Sequence, residues 1–125
     1  LELDPSSNTT SLIGSVLSGS SKYIGCVLAP NGKVYFSPFN NTQILELNTV
    51  NNTTSFVGNV FSGSSKYYGG VLSSNREIYY VFRNATKVLE LSNINSPNIL
   101  GIDATLPANL ANLATSNYNK YYNKL

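Results

Sequence analysis

The chain has 125 residues, which is enough for one domain with its own hydrophobic core and too few for two. Charged residues make up 11% of the sequence and the formal net charge is +2, with Lys and Arg scattered along the chain, so we expect no nucleic-acid partner. The sequence lacks an apolar run of about eighteen residues, and we predict no membrane span.

Two features bear on the origin of the chain. It begins at Leu1, inside a repeat and without Met, and we therefore expect a fragment or processed product of a longer protein. Its single cysteine, Cys26, excludes an internal disulfide, so cysteine usage leaves the cellular compartment open.

A repeat of 44 residues runs through the sequence. The tripeptide Leu-Glu-Leu occurs in phase three times, at residues 1–3, 45–47 and 89–91. Between these anchors the first two copies share Ser-Gly-Ser-Ser-Lys-Tyr, at 18–23 and 62–67. The third copy diverges after Gly101, and we predict that residues 104–125 form a terminal cap or tail.

Each period contains four short strand candidates separated by turn residues. In chain order, residues 1–17 form half of a four-stranded unit, residues 22–60 a full unit and residues 66–103 a second one. The strands predicted for the first full unit are residues 22–29, 33–36, 42–47 and 53–60. Asn31-Gly32 predicts a type I′ hairpin turn between the first two of these strands, since both residue types accept a positive φ.

Four antiparallel strands that recur every forty-odd residues are typical of a β-propeller blade. Gly25-Cys26 and Gly69-Gly70 are small residues in the first strand of each unit, as expected where innermost strands crowd together. The apolar character of both faces of residues 44–47 suits a sheet between two neighbours. We therefore predict an all-β fold of antiparallel, four-stranded, β-propeller-like blades within a single repeat domain, residues 1–125.

Two expectations remain open at the ends of this arrangement. A propeller needs at least about four blades, so the chain is either part of a longer propeller or has its blades completed by oligomerisation. The helical spacing of Leu106, Leu110 and Leu113, with Pro107 at a first helical position, predicts a short C-terminal helix.

Two segments carry a family resemblance: Lys-Tyr-Tyr-Gly-Gly-Val-Leu at residues 66–72, and Ala-Pro-Asn-Gly-Lys-Val-Tyr with its continuation to Leu-Glu-Leu at residues 29–47. They resemble propeller-like repeat proteins with "GGVLAPNGKIY...VLEID" repeats, over residues 1 to about 103. The chain is also distantly similar to virginiamycin B lyase and other NHL- or Kelch-like propellers. That wider family includes a metal-dependent lyase whose chemistry relies on His. The resemblance implies fold more firmly than function.

The chain has no His, which removes the usual general base of hydrolytic triads and the usual ligands of zinc. We therefore expect no enzyme activity, no catalytic residue, no metal site and no cofactor. Glu2, Glu46 and Glu90 share one repeat phase; we favour structural pairing with Lys or backbone donors over a functional ring of acids. Cys26 is expected to be a buried, inert thiol. Four in-phase tyrosines are expected to pack within the sheets: Tyr23, Tyr35, Tyr67 and Tyr79.

Candidate ligand-binding residues lie in the loops at one end of the predicted blades, because loops carry function more often than strands do. The most exposed polar candidates are Lys22, Lys66, Arg83 and Asn40, and Asn84 is a further candidate for ligand binding. They suit a polar or weakly anionic partner, which would be a protein, peptide or glycan; an ordinary solvated rim is the alternative. We favour a non-enzymatic binding or scaffold module. The alternatives are a self-assembling structural unit, or a fragment of a lyase-like enzyme whose catalytic groups lie outside this chain.

Overall fold

The computed structural model describes residues 1–94, and this part of the chain is all-β. It contains nine strands, no helix and therefore no helix that could cross a membrane. The strands form three antiparallel sheets of two, four and three strands. The predicted all-β, antiparallel character is confirmed for these residues. The predicted C-terminal helix, the tail at 104–125 and the end of the unit at 66–103 lie outside the described residues.

The strands follow the repeat. The first sheet contains β1 (Glu2–Asp4) and β2 (Thr9–Ser11). The second sheet, in spatial order, contains β3 (Tyr23–Leu28), β4 (Val34–Pro38), β5 (Ile44–Asn48) and β6 (Thr53–Val57). The third sheet contains β7 (Tyr67–Leu72), β8 (Ile78–Phe82) and β9 (Leu89–Leu91). Within each sheet, strand order equals chain order, so every connection inside a sheet joins neighbouring antiparallel strands.

The hairpin between β3 and β4 forms where it was predicted, but its turn differs from the type I′ prediction. Gly32 N donates to Ala29 O at 3.0 Å, and Ala29 N donates to Lys33 O at 2.9 Å. Only Gly32 of the pair Asn31-Gly32 has a positive φ, 77°. Pro30 fixes its own φ near −65°, which favours a type I turn followed by one left-handed residue.

The two faces of each sheet can be told apart by strand register. In the second sheet, we call one face the A face. It carries a row of directly opposed residues: Val27, Tyr35, Glu46 and Ser55. The opposite face, the B face, carries the next row: Cys26, Phe36, Leu45 and Phe56. The third sheet repeats both rows, with Val71, Tyr79 and Glu90 on its A face and Gly70, Tyr80 and Leu89 on its B face.

The A face of the second sheet packs on the B face of the third. Buried residues from both sheets form one cluster, in which Tyr35 and Ile44 meet Ile78 and Tyr80. Ile78 and Tyr80 are both 0% exposed, which makes this interface the core of the described residues. Burial of apolar surface between two sheets is the main favourable contribution to such an arrangement.

The first strands of the two larger sheets, β3 and β7, lie against each other through glycine. A Cβ atom built on Gly25 would lie 2.9 Å from the Cα atom of Gly69. Both glycines have positive φ, 75° and 115°, and each lies in a register irregularity of its strand pair. Small residues in the first strand of each unit therefore allow the close approach that the sequence predicted.

The first sheet lies beside the outer part of the second. Ser15 N donates to Thr54 Oγ1 at 3.1 Å, and Asn52 Nδ2 donates to a carboxylate oxygen of Glu2 at 3.1 Å. These contacts place β1 and β2 next to β6, over part of the B face of the second sheet.

Candidate functional site

Two clefts that are equivalent in the repeat open at the same end of the sheets. The first has a volume of about 570 Å³ and lies between residues 16–22 and 40–42. The second has a volume of about 560 Å³ and lies between residues 60–66 and 84–89. Each is formed by the chain that enters a sheet and by the loop between the second and third strands of that unit. The repeat therefore builds the same kind of site twice.

The structure brings the predicted site residues into these clefts in pairs. Lys22 and Asn40 line the first cleft, and Lys66 and Asn84 line the second. Arg83 precedes Asn84 in the β8–β9 loop. All five predicted residues are thus at the end of the sheets that the sequence indicated.

The two lysines, however, close their own loops. Lys22 Nζ donates to Gly19 O at 2.7 Å, and Lys66 Nζ donates to Gly63 O at 2.8 Å. Gly19 and Gly63 have positive φ, 90° and 93°, which turns each carbonyl back toward the lysine three residues later. The shared Ser-Gly-Ser-Ser-Lys sequence is explained by this loop.

The prediction that Lys66 is among the most exposed polar residues is wrong, because its side chain is 3% exposed. Its ammonium also donates to Phe39 O at 3.3 Å, so the neighbouring sheet's loop covers it. Burial lowers the pKa of Lys66. Lys22 is only half-buried. Lys66 is therefore a structural residue between two loops, not a free cation for a ligand.

The two asparagines make matching contacts. Asn40 Nδ2 donates to Ser20 O at 3.3 Å, and Asn84 Nδ2 donates to Ser64 O at 3.5 Å. Asn40 Oδ1 additionally accepts a hydrogen bond from Ser65 N at 2.9 Å, which joins the β4–β5 loop to the chain that enters the third sheet. Both asparagines remain exposed, so their side chains hold the loops and still face solvent.

Arg83 is an exposed cation held on two aromatic rings. Its guanidinium carbon lies 5.8 Å from the ring centroids of both Phe39 and Tyr68. The two rings meet edge to face, with centroids 5.8 Å apart. Within residues 1–94 the only ion pair is that of Lys33 with Glu46, so no carboxylate of that range neutralises Arg83. Cation–π contacts orient the guanidinium and leave its hydrogen-bond donors available.

Phe39 and Tyr68 were not recognised as site residues from the sequence. Phe39 occupies the position of Arg83 in the preceding copy, and Tyr68 occupies the position of Ile24. The platform thus arises where the two copies differ. Departures from the repeat were the signal that could have identified it, because conserved repeat positions serve the sheet itself.

Two further expectations are tested by the described residues. Cys26 is exposed, and the prediction of a buried thiol is wrong, because its side chain lies on the B face of the second sheet and this part of the face is uncovered. Glu46 pairs with Lys33 at 2.7 Å, which confirms the structural interpretation for this one of the three in-phase glutamates. Residues 1–94 contain no group of three or more His, Cys, Asp or Glu residues that could hold a metal ion.

Neither a scan against protein-family models nor a search of curated proteins finds a match for this sequence.

Proposed function

We propose that this protein is a non-enzymatic binding module that recognises a polar, weakly anionic ligand, a peptide or a glycan, at the loop end of β-propeller-like repeats. Recognition depends on surface complementarity and involves no bond chemistry. The ligand contacts the second cleft and the adjacent Arg83, whose cation would pair with an anionic group.

The observation that supports this proposal is the cation–π platform. Arg83 lies over Phe39 and Tyr68 and lacks a carboxylate partner among the described residues. A cation that is held in place loses less conformational freedom when it binds. Tyr68 is 54% exposed, so its ring can also stack on a sugar or a side chain.

The propeller-like arrangement is part of the same proposal. It is supported by the face-to-face packing of two repeat-equivalent sheets and by the close approach of their innermost strands at Gly25 and Gly69. The resemblance to NHL- and Kelch-like propellers agrees with it. In such a stack, successive units present their equivalent loops at one end, where ligands bind.

An NMR titration tests the ligand site. ¹⁵N-labelled protein is titrated with an acidic peptide and, separately, with an oligouronate. We expect saturable shifts of the amides at 62–66 and 83–86 with at least one probe. Arg83→Gln should weaken binding by about tenfold, the effect of losing one charge-assisted hydrogen bond.

Arg76→Gln is the matched control for this titration. Arg76 is also exposed, but it lies in the β7–β8 turn, at the opposite end of β8 from Arg83. Its substitution should leave the affinity unchanged. The proposal fails if both probes bind without shifts at the loop end, if neither binds, or if the two arginine variants weaken binding equally.

A further inference from the structure

Equivalent positions on the A faces of the two larger sheets differ sharply in exposure. Val27 of the second sheet is 8% exposed because the third sheet covers it, whereas Val71, one repeat later, is 60% exposed. Ser37 is likewise 0% exposed, and its equivalent Val81 is 60% exposed. The A face of the third sheet is thus an interface surface without a partner among the described residues.

The described residues also leave part of the B face of the second sheet uncovered. Tyr80 of the third sheet is fully buried, but its equivalent Phe36 lines an open cleft of about 440 Å³. Cys26 and Leu28, on the same face, are exposed. The first sheet covers only the part near Thr54, and the part nearest β3 and β4 stays open.

The free edge of β1 indicates which strand would complete this region. β1 pairs with β2 alone among the described strands. Its sequence Leu1-Glu2-Leu3 is identical to Leu89-Glu90-Leu91, which pairs with β8 as β9. The same register pairs Leu45-Glu46-Leu47 with β4. β1 therefore carries the same side chains as β9, the strand that now occupies the edge of β8.

We propose that a second copy of this chain docks here. The A face of the copy's third sheet lies on the B face of the first chain's second sheet. The copy's β8 pairs with β1 of the first chain in place of the copy's own β9. The contact repeats the interface that already joins the second and third sheets within one chain. Val71 and Val81 of one copy then cover Phe36 and Cys26 of the other. This inference concerns the sheet faces and is independent of ligand binding at the loop end.

A second copy is the occupant that the observations favour. Within residues 1–94, each chain carries both halves of one interface, an open A face on the third sheet and an open B face on the second. Leu1 and Leu3, which are 84% and 60% exposed, would pack on the copy's second sheet, as the partly buried Leu89 and Leu91 do now. The contact is heterologous, so copies associate head to tail and form a ring or a chain.

Complementation between two blocked variants tests this inference. Val71→Lys places a charge on the A face of the third sheet, and Cys26→Lys places one on the B face of the second sheet. Both residues are exposed, so each variant should fold, which circular dichroism checks. In sedimentation velocity over about a hundredfold range of concentration, the unmodified chain should associate and each variant alone should stay monomeric.

An equimolar mixture of the two variants should form a heterodimer and nothing larger, because only one intact A face and one intact B face remain to meet. Maleimide labelling of Cys26 in the unmodified chain should slow as the chain associates. Val50→Lys, in the β5–β6 turn at 94% exposure, is the control and should associate normally.

Three results would overturn the inference. The first is an unmodified chain that is monomeric at every concentration. If Cys26 of that monomer is also protected from maleimide, residues 95–125 cover the B face. The second is a variant mixture that fails to associate, which would indicate a different contact. The third is loss of association in Val50→Lys, which would indicate non-specific aggregation.

Discussion

Two tyrosine hydroxyls are buried in the described residues without a hydrogen-bond partner there, those of Tyr23 and Tyr80. Burial raises the pKa of Tyr23 to about 12 and raises the pKa of Tyr80 further. A neutral phenol is tolerated in such surroundings, whereas a phenolate is not. The sheets are therefore more sensitive to alkaline pH than their low content of ion pairs would indicate.

Stability should fall as the pH rises above 10. Tyr23 keeps its proton in the folded state up to about pH 12, while the unfolded chain releases it near pH 10, so the proton loss favours unfolding between these values. Urea unfolding at a series of pH values measures this decrease. Tyr23→Phe should flatten it; a variant whose slope equals that of the unsubstituted protein would contradict the explanation.

The paired loop lysines offer a direct comparison of burial. Lys66→Met should reduce the free energy of unfolding by about 1 to 3 kcal/mol, because the hydrogen bonds from the ammonium to Gly63 O and Phe39 O are lost. Lys22→Met removes the same loop contact at a half-buried position and should cost less. Chemical denaturation of the two variants decides the matter, and a larger cost at Lys22 would refute the structural role assigned to Lys66.

At the scale of the strand, the approach of β3 to β7 depends on a glycine with no room for a side chain. Gly25 and Gly32 have nearly equal positive φ, 75° and 77°, but only Gly25 would place a Cβ against backbone. Both Ala substitutions carry the conformational cost of about 1 to 2 kcal/mol. Gly25→Ala should cost at least 1 kcal/mol more, since backbone must shift. Thermal or urea unfolding of the two variants measures the difference. Equal costs would show that β3 and β7 can move apart without loss of stability.

The strands could largely be predicted from the sequence, because turn residues and the repeat phase fix where each strand stops. For β3 the prediction was residues 22–29 and the strand is Tyr23–Leu28; for β6 the prediction was longer, 53–60 against Thr53–Val57. The type of the β3–β4 turn was missed, because the preference of Asn-Gly was weighed without the restriction that Pro30 imposes. The positions of paired strands can be predicted from their own residues and turns, whereas the type of the β3–β4 turn also depends on the preceding residue, Pro30.

At the scale of the whole molecule, the packing of A face on B face separates two adjacent tyrosines. Tyr80 lies in the core between the sheets, and Tyr79, which is itself half-buried, lies on the opposite face. Tyr80→Ala should cost about 3 to 5 kcal/mol through the cavity that it leaves. Tyr79→Ala should cost much less in dilute solution. Denaturation curves of both variants are the measurement, and a reversed order would mean that the third sheet packs through its other face.

The candidate site shows where sequence reasoning reaches its limit. The loop end and its five residues were identified from the repeat, but the burial of Lys66 and the exposure of Cys26 were not. Both depend on whether a neighbouring sheet covers the residue, which is a long-range property that a single period does not contain. The platform under Arg83 likewise combines side chains from two sheets, Phe39 from one and Tyr68 from the other.

The contact between the second and third sheets is made by residues at fixed repeat positions, so a further repeat would bring the same contact residues with it. A gene that inserts an additional copy of residues 45–88 should encode one more sheet, seated on its predecessor through the same steric match. Its thermal unfolding should then follow a linear lattice of coupled units, in which each added unit contributes one intrinsic and one junction free energy. The fold would then be extended by one 44-residue repeat at a time.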